Sequence, residues 1–214
     1  SQSRLPICST RSLRARAEKM PAAKQETAQI DGRRQRADQS RRRIAQAMLE
    51  LVREGEITPS ADTVADRAGV GRRTVFRLFN DMEGVYREMH AIMVSRLAPM
   101  FAAPFKSTTW RERLDELVDR RARMFEEMLP IKSAADAHRY RSEFLQNEHK
   151  KLTRLQRQTM LAVLPESIAA QTERIEALDL ALSFEAWRRL RQEQKLPPRQ
   201  AAMVLRRIVR ALMG

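Results

Sequence analysis

Apolar side chains recur every three or four positions from residue 41 onward, which is the spacing of one face of an α-helix. Gly55 stands where the first such segment would end, so the pattern predicts a helix over residues 41–54. Pro59 then interrupts the chain, and the hydroxyl of Ser60 can cap a short second helix. The inward positions of these two helices are Ile44, Ala47, Met48, Leu51, Val52, Ala61, Val64, Ala65 and Ala68.

A tight turn and a third short helix follow the second one. Gly69 can adopt a turn conformation that is closed to most other residues, and the next helix begins at Arg72. Its apolar positions share one side of the helix, and they are Val75, Leu78 and Phe79. Asn80 or Asp81 then caps a longer helix, so residues 41–79 are predicted to form three short helices.

Helical periodicity continues to the C-terminus, where prolines divide it into segments. The predicted helices are 82–103, 109–129, 133–142, 143–163, 167–194 and 199–213. No segment alternates apolar and polar residues as a half-buried strand does. The sequence therefore predicts an all-α protein of about nine helices, with a three-helix domain over 40–86 and a helical bundle over 87–214.

Composition supports this prediction and adds a strong positive charge. Gly totals 6 residues and aromatic residues only 5%, while helix-forming residues are abundant. The formal net charge is +14, an excess that favours nucleic acid or an anionic membrane surface as a partner. Residues 1–39 lack helical periodicity and are predicted to be a disordered basic tail. This tail is either solvated without a role or an arm that adds phosphate contacts.

The sequence also indicates a compartment. Cys8 is the only cysteine, which argues against disulfides and thiolate metal sites and favours a reducing cytoplasm. No apolar run approaches the roughly 18 residues of a membrane span, and the N-terminus lacks an apolar signal core. We therefore expect a soluble cytoplasmic protein without a membrane partner. Met20 opens a stretch typical of a natural start, so residues 1–19 are interpreted as a tag remnant, upstream translation or a basic arm.

The third predicted helix has one apolar side and one cationic side. A helix, a tight turn and a second helix form the helix-turn-helix unit, whose second helix enters the major groove of DNA. With its apolar side packed on the protein, the other side can reach phosphates and base edges. The residues on that side are Arg72, Arg73, Thr74 and Arg77. A solvated charged face is the alternative, but the agreement of cap, turn, apolar set and arginine cluster favours DNA.

The run VADRAGVGRRTVFRLFNDMEGVY lies within residues 44–86, which resemble the DNA-binding domain of the TetR/AcrR family of bacterial transcriptional regulators. In this resemblance Ser60 matches a capping residue that often also touches phosphate. Arg43 and Phe76 complete the predicted DNA-binding set. Phe76 stands where the family commonly has a phosphate-binding tyrosine, and Leu78 where it commonly has histidine. Both departures remove polar contacts and shift the expected binding toward the arginines.

The resemblance also implies that the protein is a homodimer with an effector. In that reading two recognition helices bind a palindromic operator with half-sites about 34 Å apart, and a small molecule releases the repressor. LALSFEAWRRLR, residues 180–191, and the final helix are similar to the family's dimer helices. The expected interface residues are Leu182, Ala186, Val204, Ile208 and Leu212. The candidate ligand-binding residues, which core packing explains equally well, are Trp110, Phe125, Met128, Phe144 and Trp187.

The sequence gives no indication of catalysis. His90, His138 and His149 have no second ligand at a metal-binding spacing, so we expect no metal site. It contains no Gly-rich phosphate loop, nucleophile elbow or Cys–His pair, so we expect neither an enzyme nor a cofactor. The alternative to a ligand-responsive regulator is an architectural or tethering protein whose C-terminal helices bind another protein. A small molecule that weakens DNA binding would distinguish the two.

Overall fold

The computed structural model describes the backbone of residues 22–214 and the side chains of residues 33–214. Within these residues every regular element is a helix, which confirms the all-α prediction. The helices are α1 (Ala22–Arg53), α2 (Ala61–Ala68), α3 (Arg72–Phe79), α4 (Met82–Ala102), α5 (Trp110–His138), α6 (Glu143–Leu161), α7 (Glu166–Ala169), α8 (Thr172–Ala181), α9 (Phe184–Arg188) and α10 (Pro198–Met213). A 3-10 turn, Arg139–Arg141, precedes α6, and a π-helical turn, Arg189–Glu193, continues α9. The chain divides into a unit that ends at Gln39 and a larger unit, Ser40–Gly214.

The first helix begins at Ala22, so its predicted start at residue 41 is wrong. Residues 22–39 are rich in Ala, Gln and Arg, which have high helix propensity even where no apolar stripe is present. Apolar periodicity could not reveal such a polar segment. The rest of the predicted tail, residues 1–21, lies outside the described residues.

Helices α2 and α3 have the predicted bounds because capping and turn residues determine them locally. Ser60 accepts a hydrogen bond from the backbone N–H of Thr63 at 3.1 Å, so the hydroxyl predicted to touch phosphate forms the cap of α2. Gly69 ends α2 with φ of 63°, in the left-handed region that favours glycine. Asp81 caps α4 by accepting from the N–H of Gly84 at 2.9 Å.

Two apolar cores lie in the unit Ser40–Gly214. The N-terminal core joins α1, α2 and α3 to α4, and it also includes Ile131 and Ala134 of α5 and Leu145 of α6. The C-terminal core surrounds Phe125, Phe184 and other residues of α4 to α10. Packing therefore continues across residue 86, and the helix-turn-helix segment rests directly on helices of the bundle.

The C-terminal helices differ from the prediction at two places. Helix α5 continues through Pro130 and joins the predicted helices 109–129 and 133–142, because Met128, Leu129 and Ile131 are buried on both sides of the proline. This burial outweighs the local cost of proline in a helix, about 3 kcal/mol. The predicted helix 167–194 is instead divided into α7, α8 and α9. Ser183 produces one of these breaks by capping α9 through the N–H of Ala186.

A buried arginine ties three helices of the bundle together. Arg121 of α5 is 2% exposed, and its guanidinium donates to the carbonyl of Leu182 at 2.8 Å and to the carbonyl of Gln156. It also donates to the hydroxyl of Thr159 at 3.3 Å. Burial lowers the pKa of Arg121 to about 10, so the group stays charged at pH 7. The sequence pattern did not distinguish this arginine from its exposed neighbours.

Candidate nucleic-acid interface and cavity

One side of α3 packs on the N-terminal core, and the other side is exposed. Val75 and Phe79 are buried, and Leu78 is half-buried. At the next corner Gly84 lies so close to Phe79 that a Cβ atom there would be 2.6 Å from the Phe79 carbonyl oxygen. This close approach fixes α3 against the first turn of α4, and with it the direction of the exposed side.

The exposed side of α3 carries Arg73, Phe76 and Arg77. Neither arginine forms a hydrogen bond or an ion pair with the part of the protein that the structure describes, so both guanidinium groups face solvent. Phe76 is 38% exposed, which is unusual for a large apolar side chain on a cationic surface. Thr74 is half-buried, and Gly71 caps the helix without a side-chain hydrogen bond. The first turn of α3 can therefore offer backbone N–H groups to an anion.

Two other predicted DNA-binding residues have partners inside the protein. The Arg72 guanidinium lies 3.0 Å from Asp62 of α2 and 5.6 Å from the centre of the Phe76 ring. Arg43 donates to the carbonyl of Ala68 at 2.6 Å and so closes the C-terminal end of α2. Arg43 is thereby a structural residue of the α2–α3 turn, which the sequence did not indicate. Within the described part of the chain, the cations of the predicted set that lack such partners are Arg73 and Arg77, on the exposed side of α3.

A cavity of about 490 Å³ lies between α4, α5 and α6. Sites for small molecules commonly have volumes of about 300–1,000 Å³ and mostly apolar walls. The apolar walls here come from residues spaced along each helix, namely Met89, Met93, Leu97 and Phe101 of α4, Met128, Ile131 and Ala135 of α5, and Leu145, Leu152 and Leu155 of α6. Val94 and Leu155 are 49% and 40% exposed, so an apolar opening lies between α4 and α6.

Only Met128 of the five predicted ligand-binding residues lies in the wall of this cavity. Phe125 and Trp187 are fully buried in the C-terminal core, where Phe125 packs on the ring of Phe184. Neither residue lines the cavity, and packing in the C-terminal core accounts for both side chains.

The remaining two predicted ligand-binding residues stack with cations outside the cavity wall. Trp110, at the start of α5, lies under the guanidinium of Arg111 at 4.3 Å. Phe144 lies between the guanidinium of Arg87 at 4.2 Å and the ring of His90 at 5.6 Å. Aromatic residues alone therefore did not locate the cavity. The sequence feature that could have indicated the cavity is the apolar stripe of α4, which repeats every three or four residues and lines the cavity wall.

Polar side chains gather where α5 ends and α6 begins. Lys132 Nζ and Arg139 Nη1 each lie 3.1 Å from Nδ1 of His149, and Asp136 lies 3.2 Å from Lys132. Because two cations donate to Nδ1, this nitrogen is the acceptor and the ring proton is on Nε2. Burial and the two neighbouring cations lower the pKa of His149, so the ring is neutral at pH 7.

A second polar group lines the same end of the cavity. His90 Nε2 lies 3.5 Å from Glu148, and Lys151 forms an ion pair with Glu148 at 2.6 Å. Burial lowers the pKa of His90, which keeps this ring neutral as well. Burial also raises the pKa of Tyr86 to about 12, so the phenol stays protonated. These histidines, scattered in the sequence, converge because α4 and α6 begin at the same end of the bundle.

The predicted dimer residues differ in exposure. Leu182 is fully buried in the core of its own subunit, so its predicted place in a dimer interface is wrong. The others are half-buried or exposed, and they are Ala186, Val204, Ile208 and Leu212. Helices α8 and α10 pack together and expose further apolar side chains, with Leu180 70% and Met203 64% exposed.

Neither a membrane-spanning helix nor a metal-binding cluster is present among the described residues. No helix among them has the length and apolar character needed to cross a membrane. No group of three or more His, Cys, Asp or Glu side chains in this part of the chain is arranged to hold a metal ion.

The fold is a short helix-turn-helix segment packed on an α-helical bundle that contains a cavity. The same fold occurs in the crystal structure of a transcriptional regulator from Rhodococcus sp. Rha1, with a TM-score of 0.63 over 81% of this chain and 95% of that chain. The two sequences are 18% identical, so the likeness is one of fold. No family model and no curated protein sequence matches this chain.

Proposed function

We propose that the protein is a transcriptional regulator that binds double-stranded DNA through the exposed side of α3. The observation that carries this proposal is the pair of guanidinium groups of Arg73 and Arg77, which have no partner among the described residues. They lie beside Phe76 on the helix that follows the Gly69 turn. Arginine can pair at two points with guanine or with phosphate, and a helix of this size fits the major groove. The fold shared with a transcriptional regulator supports the same function.

The regulator is proposed to act as a homodimer on a palindromic operator. A single short helix contacts few bases, and two-fold symmetry doubles the contacts by placing a second α3 on a second half-site. The exposed apolar side chains of α8 and α10, among them Leu180, Met203 and Ile208, supply a surface that a second copy would bury. Half-sites about 34 Å apart, or a multiple of that spacing, follow from this geometry.

A small molecule in the cavity is proposed to control DNA binding. Tyr86, Met89, Ile131 and Leu145 line the cavity and also belong to the N-terminal core on which α3 packs. A ligand that moves these side chains therefore acts on the packing of the helix-turn-helix segment without contacting it. The cavity favours a ligand-responsive repressor over a tethering protein, whose bundle would need only an exterior surface.

Selection of bound duplexes from a random DNA pool tests the proposed function. We expect the selected sequences to share a palindrome whose half-sites lie about one helical turn apart, or a multiple of it. Equal binding to all duplexes at fixed salt would contradict the proposal, because phosphate contacts alone carry no sequence preference.

A further inference from the structure

The cavity between α4, α5 and α6 is elongated, and its two ends differ chemically. Its wall on α4 runs from Tyr86 to Ala102, roughly 24 Å, because a helix rises about 1.5 Å per residue. The charged and imidazole side chains lie at the end of the cavity near His90, whose ring contacts Phe144. Leu97, Phe101 and Met128 line the apolar end. A ligand that fills the cavity must therefore be long, with a polar group at one end.

The polar end, with the residues paired to it, carries an excess positive charge. The cations are Lys132, Arg139, Lys151 and Arg188, and the carboxylates are Asp136, Glu148 and Glu185. His90 and His149 add no charge at pH 7, because burial lowers the pKa of both rings. Four cations against three carboxylates leave one positive charge beside an apolar space. A ligand with one negative charge would neutralise it.

Two of these cations share the carboxylate of Asp136, at 3.2 and 3.4 Å, and also converge on a weak acceptor. Lys132 and Arg139 both donate to Nδ1 of His149, and the Lys132 side chain is only 8% exposed. A carboxylate accepts stronger hydrogen bonds from such cations than a neutral imidazole does. The planar fork of arginine also matches the two oxygens of a carboxylate.

We propose that the ligand of this cavity is a carboxylic acid with a long apolar body. Its carboxylate binds at Lys132 and Arg139, and its body lies along Met93, Leu97 and Phe101. This inference rests on the proposed function in one respect, that the cavity is a ligand site. It adds the chemical class of the ligand.

Three probes with the same apolar body and different head groups test the inference. Dodecanoate, dodecanol and dodecylammonium are titrated into the full chain without DNA, below the concentrations at which they form micelles, and binding is measured by calorimetry. We expect dodecanoate to bind about tenfold or more tightly than dodecanol, because hydrogen bonds to a charged group are stronger, and dodecylammonium to bind most weakly. Equal binding of the three, tighter binding of the alcohol or the amine, or no binding of any would overturn the inference.

A pair of charge-matched variants locates the carboxylate. Arg139→Gln is expected to weaken dodecanoate binding about tenfold while leaving dodecanol binding unchanged. Lys150→Gln removes the same charge from α6 at an exposed position outside the cavity wall, and it should change neither. Equal dodecanoate affinity in both variants would contradict the assigned head-group site. The thermal unfolding of each variant confirms that it is folded.

The two proposals fail in different ways in these experiments. If dodecanoate binds with the expected preference but leaves the affinity for the selected duplex unchanged, the ligand class stands and the proposed control of DNA binding fails. If no probe binds while the protein still selects a palindrome, the ligand class fails and the DNA-binding function stands.

Discussion

The exposed side of α3 combines two cationic side chains with one aromatic ring, and these groups suit different parts of DNA. Arg73 and Arg77 carry donors that pair with guanine or phosphate, whereas Phe76 has none and is 38% exposed. In the major groove an apolar side chain of this kind contacts the methyl group of thymine. The ring therefore has a specific proposed role, which a phosphate-binding tyrosine at the same position would not have.

Phe76→Ala is expected to remove this preference for thymine. Deoxyuridine lacks the methyl group of thymine. When the thymines of the selected duplex are replaced by deoxyuridine one at a time, the unmodified protein should bind more weakly after the replacement at one position of each half-site. The variant should be insensitive to the same replacement, since its methyl contact is already absent. Equal losses for both proteins at every position, measured by fluorescence anisotropy at fixed salt, would exclude the contact.

The half-buried ring of His149 makes the stability of the protein depend on pH. Its pKa in the folded protein is lowered, first by burial and then by Lys132 and Arg139, while the unfolded chain keeps a value of about 6.5. Below that pH the unfolded chain binds the proton more readily than the folded protein does, so the folded state loses stability as the pH falls.

His149→Gln should therefore reduce the loss of stability on acidification, because glutamine keeps a hydrogen-bond acceptor but does not titrate. Urea unfolding at pH 7.5 and at pH 5.5 (roughly one unit on either side of the ordinary histidine pKa) measures the effect. His90, which is also half-buried, retains its own contribution in the variant. A variant with the same pH dependence as the unmodified protein would contradict the assignment to His149.

At the scale of elements, the corner between α3 and α4 sets the direction of the DNA-binding side. Gly84 is the residue that permits it, because a Cβ atom there would approach the Phe79 carbonyl oxygen to 2.6 Å. Alanine normally stabilises a helix relative to glycine by about 0.5–1 kcal/mol. A loss of stability when Gly84 is replaced by alanine would therefore reveal the close approach.

Gly84→Ala is expected to destabilise the protein by about 1–3 kcal/mol through overpacking and to weaken operator binding. Gly71→Ala is the matched control, since a Cβ atom at Gly71 meets nothing within 4 Å and its φ of −72° suits alanine. Chemical denaturation of both variants measures the difference. If Gly84→Ala were as stable as Gly71→Ala, the corner would not depend on the glycine.

The same elements explain what the sequence could and could not predict. Ser60 and Gly69 act on their immediate neighbours, so the bounds of α2 and α3 followed from the residues themselves. The continuity of α5 through Pro130 depends on burial against other helices, which a local rule does not contain. The polar N-terminal part of α1 has no apolar stripe, and the partners of Arg43 and His149 lie far away in the sequence. Four of the five predicted ligand residues lie outside the cavity wall, because stripes on three helices that are distant in the sequence form the cavity.

At the scale of the whole molecule, α8 and α10 offer the apolar surface that the proposed dimer requires. Leu180→Glu and Met203→Glu each place a charge on a side chain that is more than half exposed, so the monomer itself should remain folded. In a dimer interface the buried, unpaired charge would cost several kcal/mol. Both variants should therefore be monomeric by light scattering and bind the palindrome weakly.

Ile57→Glu is the control for this prediction, because Ile57 is 53% exposed in the loop between α1 and α2. It should leave the molecular mass unchanged. Identical masses for all three variants and the unmodified protein would contradict a dimer built on α8 and α10.

The measurement that tests the central proposal most directly is the affinity for the selected duplex of a double variant, Arg73→Ala with Arg77→Ala, at one salt concentration. Arg123→Ala, which removes an exposed arginine of the bundle, is the control for charge. If α3 reads DNA, the double variant loses about 1–3 kcal/mol for each base contact removed, while Arg123→Ala binds nearly as the unmodified protein does. A double variant that binds the selected duplex as tightly as Arg123→Ala would contradict the account.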